Sequence, residues 1–224
     1  MVVRETKMGR RIVGGFLVVV LGLALAQVAH ADTVSMKQVS VGPGSAGGPN
    51  ISGNDYVYPY YFSINGSSTL TPLICDDFND TVYLGESWNA TTNTISQGGM
   101  MSPVISGMSK LQAYEEAAWL LDQLNGVPSS TDAANINNAI WDLFAANAPT
   151  STATSDWLTK AGNAVPNLSA SYFDQFVIYT PLNGWPSADG RPQEYIGKVP
   201  EPATLALLGW GLLGLGVFRR KRNV

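Results

Sequence analysis

Leu111-Gln112-Ala113-Tyr114-Glu115-Glu116-Ala117-Ala118-Trp119-Leu120-Leu121 breaks the rhythm of the chain around it. Leu111, Tyr114, Ala118 and Leu121 recur at helical spacing, and Ala117, Leu120 and Leu124 widen the stripe, so the pattern predicts a helix over about 109–125 that Gly126 and Pro128 end. Ser130 or Thr131 is placed to cap a second helix with Ile136, Ile140, Leu143 and Phe144 on its buried face. Residues 155–158 open a third, short one, after a hydroxyl-rich linker at 150–155. On either side the pattern is β. Residues 33–41, 68–75, 81–84, 176–180 and 194–199 read as strands, and 42–55 reads as a Gly/Pro/Ser/Asn loop. The aromatic run 56–62 is a further strand that Pro59 demotes to an edge or bulge, and Asn65-Gly66 supplies a hairpin turn after it. Strands flanking a helical insertion predict an α+β domain, with the sheets arranged as a β-sandwich or a barrel.

Both chain ends carry targeting patterns. Arg4, Lys7, Arg10 and Arg11 precede an apolar stretch at 12–26, and Ala29-His30-Ala31 follows as a small-x-small cleavage pattern. Residues 1–31 therefore read as a signal peptide for the general secretion machinery and signal peptidase, with an uncleaved anchor as the competing reading. At the other end Val199-Pro200-Glu201-Pro202 leads into an apolar run at 203–218 and then Arg219-Arg220-Lys221-Arg222. The prolines hold Glu201 in an extended segment. The apolar run, as a helix, rises about 24 Å at 1.5 Å per residue, short of the roughly 30 Å hydrocarbon core, and the basic cluster after it can snorkel and stay cytoplasmic. The expected organisation is signal peptide 1–31, exported domain 32–198 and sorting segment 199–224.

The triplet, apolar helix and basic end together resemble the PEP-CTERM sorting tail of exported proteins in Gram-negative bacteria that make extracellular polysaccharide and carry an exosortase. That resemblance implies a precursor anchored in the inner membrane, recognition of the Pro-Glu-Pro triplet by exosortase, and release to the cell surface or a biofilm matrix. The competing reading is an ordinary tail anchor. In the expected exported domain five basic side chains face fifteen acidic ones, a net charge of −10, which disfavours nucleic acid and anionic lipid as partners.

The chain's one histidine is His30, inside the signal segment, so Ser-His-Asp and Cys-His catalysis and histidine-based metal sites are excluded from residues 32–198. Carboxylate chemistry remains, with Asp76, Asp77 and Asp80 or Glu115 and Glu116 as nominees for a glycosidase-like pair. Calcium at residues 76–80 lacks the EF-hand spacing and its glycine. No catalytic residue, cofactor or metal is assigned.

Cys75, alone in an exported chain, reads as a buried apolar residue, a bridge between two chains or half of a thioester. Glu115-Glu116-Ala117-Ala118-Trp119 and Asn137-Asn138-Ala139-Ile140-Trp141 both read x-x-Ala-apolar-Trp. Ile74-Cys75-Asp76 after a strand, with the second of these helices, resembles the thioester domains of bacterial surface adhesins, in which a strand cysteine is joined to a glutamine two residues before the helix alanine. Here that position is Asn137, one methylene shorter, and the expectation is an intact, buried thiol. The functional reading is a non-catalytic binding or structural protein linked to extracellular polysaccharide. A covalent adhesin is the alternative, and a secreted carbohydrate-active enzyme is third.

Overall fold

The computed structural model describes residues 32–42, 51–52, 55–124, 129–182 and 192–199. The signal segment with Ala29 and Ala31, and the tail with Pro200, Glu201, Pro202, Arg219, Arg220, Lys221 and Arg222, lie outside them. Among the described residues no helix is long and apolar enough to cross a membrane.

The first half of the domain is β: β1 (Thr33–Val41), β2 (Ile51–Ser52), β3 (Asp55–Tyr56), β4 (Tyr60–Ile64), β5 (Thr71–Cys75) and β6 (Ser87–Thr94). Helices α1 (Lys110–Gln123), α2 (Ser130–Phe144) and α3 (Thr152–Ala164) follow, then a 3-10 turn at Val165–Asn167 and the single turn α4 (Ala170–Phe173). β7 (Phe176–Pro181) and β8 (Tyr195–Lys198) return to the sheet. Six strands close into an antiparallel barrel in the order β1-β4-β5-β8-β7-β6, with β6 pairing back to β1, while β2 and β3 form a separate ribbon. The barrel alternative of the sequence reading is the one realised.

Side-chain alternation explains the two-layered core. In β1, Val34, Met36 and Gln38 are buried, whereas Thr33, Ser35, Lys37 and Val39 are exposed. Met36, Phe62, Leu73, Trp88 and Tyr195 fill the barrel, with the Phe62 and Tyr195 rings 4.6 Å apart edge-on. Strands β5, β7 and β8 are apolar on both faces. Leu73, Cys75, Tyr179 and Tyr195 belong to the barrel interior, whereas Ile74, Ile178 and Ile196 pack on the helices. The helices therefore cover the outer face of those three strands, which water would otherwise meet.

Each long helix begins at a serine. Ser109, Ser129 and Ser151 accept from the backbone N–H groups of Gln112, Asp132 and Thr154, all at 3.1 Å. The cap of α2 is thus Ser129, one residue before the expected Ser130 or Thr131, because its side chain reaches Asp132 N. Lys198 Nζ pairs with Asp122 Oδ1 at 2.6 Å, and Tyr172 donates to Asp122 Oδ2 at 2.9 Å, tying β8 and α4 to α1.

Several strand and helix expectations are corrected. Residues 81–84 form no strand, and Tyr83 and Leu84 are both 57% exposed. The strand lies later, at Ser87–Thr94, in a polar run in which only Trp88 and Ala90 are buried. The expected strand at 56–62 is divided, with Tyr56 in β3 and the barrel strand beginning at Tyr60 after a cis Tyr58–Pro59 bond, and the one at 68–75 begins at Thr71. The supposed loop 42–55 contains β2, and the supposed linker 150–155 contains the cap and first turn of α3. The Asn65-Gly66 turn is as read, with φ of 51° and 73° and Ser67 N donating to Ile64 O at 3.0 Å.

Gly197 is paired with Leu73 across β5 and β8, and a Cβ at Gly197 would collide with Leu73 Cδ2 in the filled interior. Gly197→Ala is expected to lower unfolding free energy by about 1–3 kcal/mol in urea titrations, and the cost should shrink in a Leu73→Ala background. Equal costs in both backgrounds would mean that this contact does not limit packing.

Candidate functional site

The end of β5 and the loop after it carry the densest chemistry in the domain. Cys75 follows Leu73 into the barrel interior and is a free, fully buried thiol. Its Sγ–H donates to Asp77 O at 3.1 Å. Burial pushes the thiol well up, and the nearby charges of Asp77 and Asp76 push it further. Such a thiol is a poor nucleophile.

Asn137, on α2, reaches the backbone carbonyl of Cys75. Its carboxamide is engaged at both ends: Oδ1 accepts from Tyr58 N–H at 2.8 Å, and Nδ2 donates to the Cys75 carbonyl at 3.3 Å. The side chain is fully buried. In this position it works as a backbone clasp between α2, the segment before β4 and the end of β5.

Beside it lies a cluster of buried acids that the sequence had only half revealed. Glu194, at the entry to β8, is fully buried and accepts from Met100 N–H at 2.7 Å, from Thr180 Oγ1 at 2.5 Å and from the Tyr114 hydroxyl. Asp76 is also fully buried, and no described group donates to either of its oxygens. Its carboxyl is pushed well above the ordinary carboxylate range, first by burial and then by the charges of Glu194 and Asp77.

Asp77 follows the same logic more mildly. Burial, the Asp80 charge and a hydrogen bond with Asp80 raise it to about 7, against the backbone N–H groups of Asn79 and Asp80, which donate to its Oδ1 at 3.2 and 3.3 Å. Asp77, Asn79 and Asp80, with Met100 and Met101, line a cavity of about 280 Å³. A second cleft, of about 110 Å³, lies between Gln38, Tyr60, Phe78, Asp80, Trp141 and Gln193.

The nominated carboxylates therefore divide. Asp76 and Asp77 are buried, and Asp80 is half-buried at both cavities. Glu115 and Glu116 sit on α1, where Glu116 is buried and accepts from Gln112 Nε2 at 2.9 Å. Among the described residues no group of three or more His, Cys, Asp or Glu side chains could hold a metal ion. Sequence reasoning missed Glu194, Tyr114, Gln38 and Gln193. Tyr114 had read as helix core and Glu194 as the first residue of a strand, and neither carries a local sign that the two meet.

Residues 198–222 match the family model of the PEP-CTERM protein-sorting motif. Of these, Lys198 closes β8, and Val199 donates its N–H to Gln175 O at 2.7 Å, with its side chain exposed. The motif implies an exported protein, anchored in the membrane before an exosortase processes it. No curated protein and no solved structure matches the chain, so comparison lends the thioester-domain resemblance no support.

Two outcomes follow from the buried polar groups. Asn137→Leu strands the Tyr58 N–H and the Cys75 carbonyl, and should cost about 1–3 kcal/mol per orphaned group in urea unfolding. It should also speed labelling of Cys75 by a thiol reagent, which in the parent protein should await unfolding. Asp76 and Asp77 bind protons more tightly folded than unfolded, so stability is greatest below about pH 4 and falls as pH rises through about 7 and beyond. Asp77→Asn should flatten that fall in denaturant midpoints measured from pH 4 to 8, and a parent whose stability rises over this range would contradict it.

Proposed function

We propose that this chain is a non-catalytic surface or matrix protein of a Gram-negative bacterium, whose barrel domain binds or scaffolds extracellular polysaccharide once exosortase has released it. The observation that carries the reading is the sorting-motif match at residues 198–222. The charge of −10 over residues 32–198 favours solubility in the matrix and disfavours nucleic acid and anionic membrane surfaces. The carboxylates offer further support. Glu194 is taken up by donors of the fold and Asp76 is fully buried beneath the surface, whereas a general acid must reach a substrate proton.

A covalent adhesin is the second reading, favoured by the approach of Asn137 to Cys75. A thioester between them would lower the intact mass by one ammonia and disappear on methylamine treatment. The first reading expects the full sequence mass and a free thiol.

Sorting is tested directly in the producing cell. Glu201→Ala, and separately deletion of residues 219–222, should leave the precursor in the inner membrane at its uncleaved mass. Efficient arrival of both variants in the matrix would refute the assignment.

A further inference from the structure

Gln38 ends the inward series of β1. The register with β4 shifts between Gln38 and Ser40, so Val39 is bulged. Gln38 is only 3% exposed, and its Oε1 has no hydrogen-bond partner among the described residues. An unpaired buried amide oxygen costs about 1–3 kcal/mol, which a ligand that donates to it would offset. It lines the 110 Å³ cleft.

Tyr56, Tyr60, Phe78 and Trp141 give the cleft an aromatic lining. Phe78 leans on Trp141 with ring centroids 5.0 Å apart, and Tyr56 at the mouth is 48% exposed. The wall is braced, because Gln193 Nε2 donates to the carbonyls of Asp77 and Asp80 at 3.0 and 2.7 Å while its Oε1 accepts from Tyr195. Asp55, Asp80 and Thr81 supply the remaining polar edge, and no basic side chain lines the cleft among the described residues.

We propose that this cleft binds one uncharged sugar ring, edge-on to Gln38 and face-on to Phe78 and Tyr56. A sugar hydroxyl both donates and accepts, which matches a carboxamide, a threonine hydroxyl and two carboxylates together, whereas an ammonium group only donates. The apolar face of a pyranose covers the exposed rings. Asp55 and Asp80 repel a uronate. At about 110 Å³ the cleft is smaller than the roughly 150 Å³ cavity that encloses benzene, so it admits one edge of a ring, whose other hydroxyls remain in solvent or continue into a chain. The inference deepens the polysaccharide reading above and rests on it for the source of the sugar.

The test uses the full chain in a detergent without a sugar headgroup, titrated with the methyl glycosides of glucose, galactose and mannose, with glucuronate, with dextran and with n-butylammonium. At least one neutral glycoside should bind saturably with Kd on the order of 1 mM, and its uronate counterpart about tenfold more weakly. Dextran binding at equal sugar concentration marks a polysaccharide source, and glycoside binding without it marks a free sugar. Gln38→Leu and Phe78→Leu should each weaken binding about tenfold. Asp80→Asn, at a half-exposed position, should narrow the preference over glucuronate and is read even if Gln38→Leu fails to fold. No saturable glycoside binding, equal binding of glucuronate, or tighter binding of n-butylammonium would each overturn the proposal. A released protein that binds no sugar refutes this inference and leaves the sorting intact, whereas a sugar-binding protein that is never released refutes only the sorting.

Discussion

The Glu194 carboxylate is the point on which the two halves of the domain converge. It is fully buried at the start of β8, and its donors come from three separate places: the Tyr114 hydroxyl of α1, Thr180 of β7 and Met100 N–H in the segment between β6 and α1. Burying a carboxylate is tolerable only when its lone pairs are filled. The helices therefore cannot be shifted against the barrel without orphaning it. Gly99 belongs to the same constraint, because any side chain there would occupy the space of the carboxylate.

Asn137 plays a parallel part on the other side of β5. One side chain of α2 satisfies the N–H of Tyr58 and the carbonyl of Cys75, two backbone groups where regular ladder pairing stops. Trp141, one helical turn later, closes the barrel interior and backs Phe78 at the cleft. Asn137 thus seats a helix on the barrel through backbone groups. The aromatic wall of the cleft depends on that seating.

Much of the helical layer was legible in the sequence because each cue was local: an apolar stripe at 111–124, hydroxyl residues near the start of α2, Asn65-Gly66 between strands. β6 was not, since Ser87-Trp88-Asn89-Ala90-Thr91-Thr92-Asn93-Thr94 offers only Trp88 and Ala90 to the interior, and its outward face is polar. Nothing local distinguishes that run from a loop. Tyr83 and Leu84 erred the other way, apolar by type yet largely exposed. The start of α3 was hidden because serine and threonine mark caps and linkers alike.

By itself the sequence determined the α+β class, the approximate position of the helices, the absence of histidine from residues 32–198 and the sorting segment at its end, because each depends on residue type and near-neighbour spacing. Tertiary structure alone decided that the sheet closes, that Asp76 and Glu194 meet, that Asn137 clasps the backbone at Cys75, and that Gln38 faces a cleft with an unmet acceptor. Those features join residues from about 60 to nearly 160 positions apart. Pairings of that range are set by which strands become neighbours in the barrel, and no short-range periodicity encodes it.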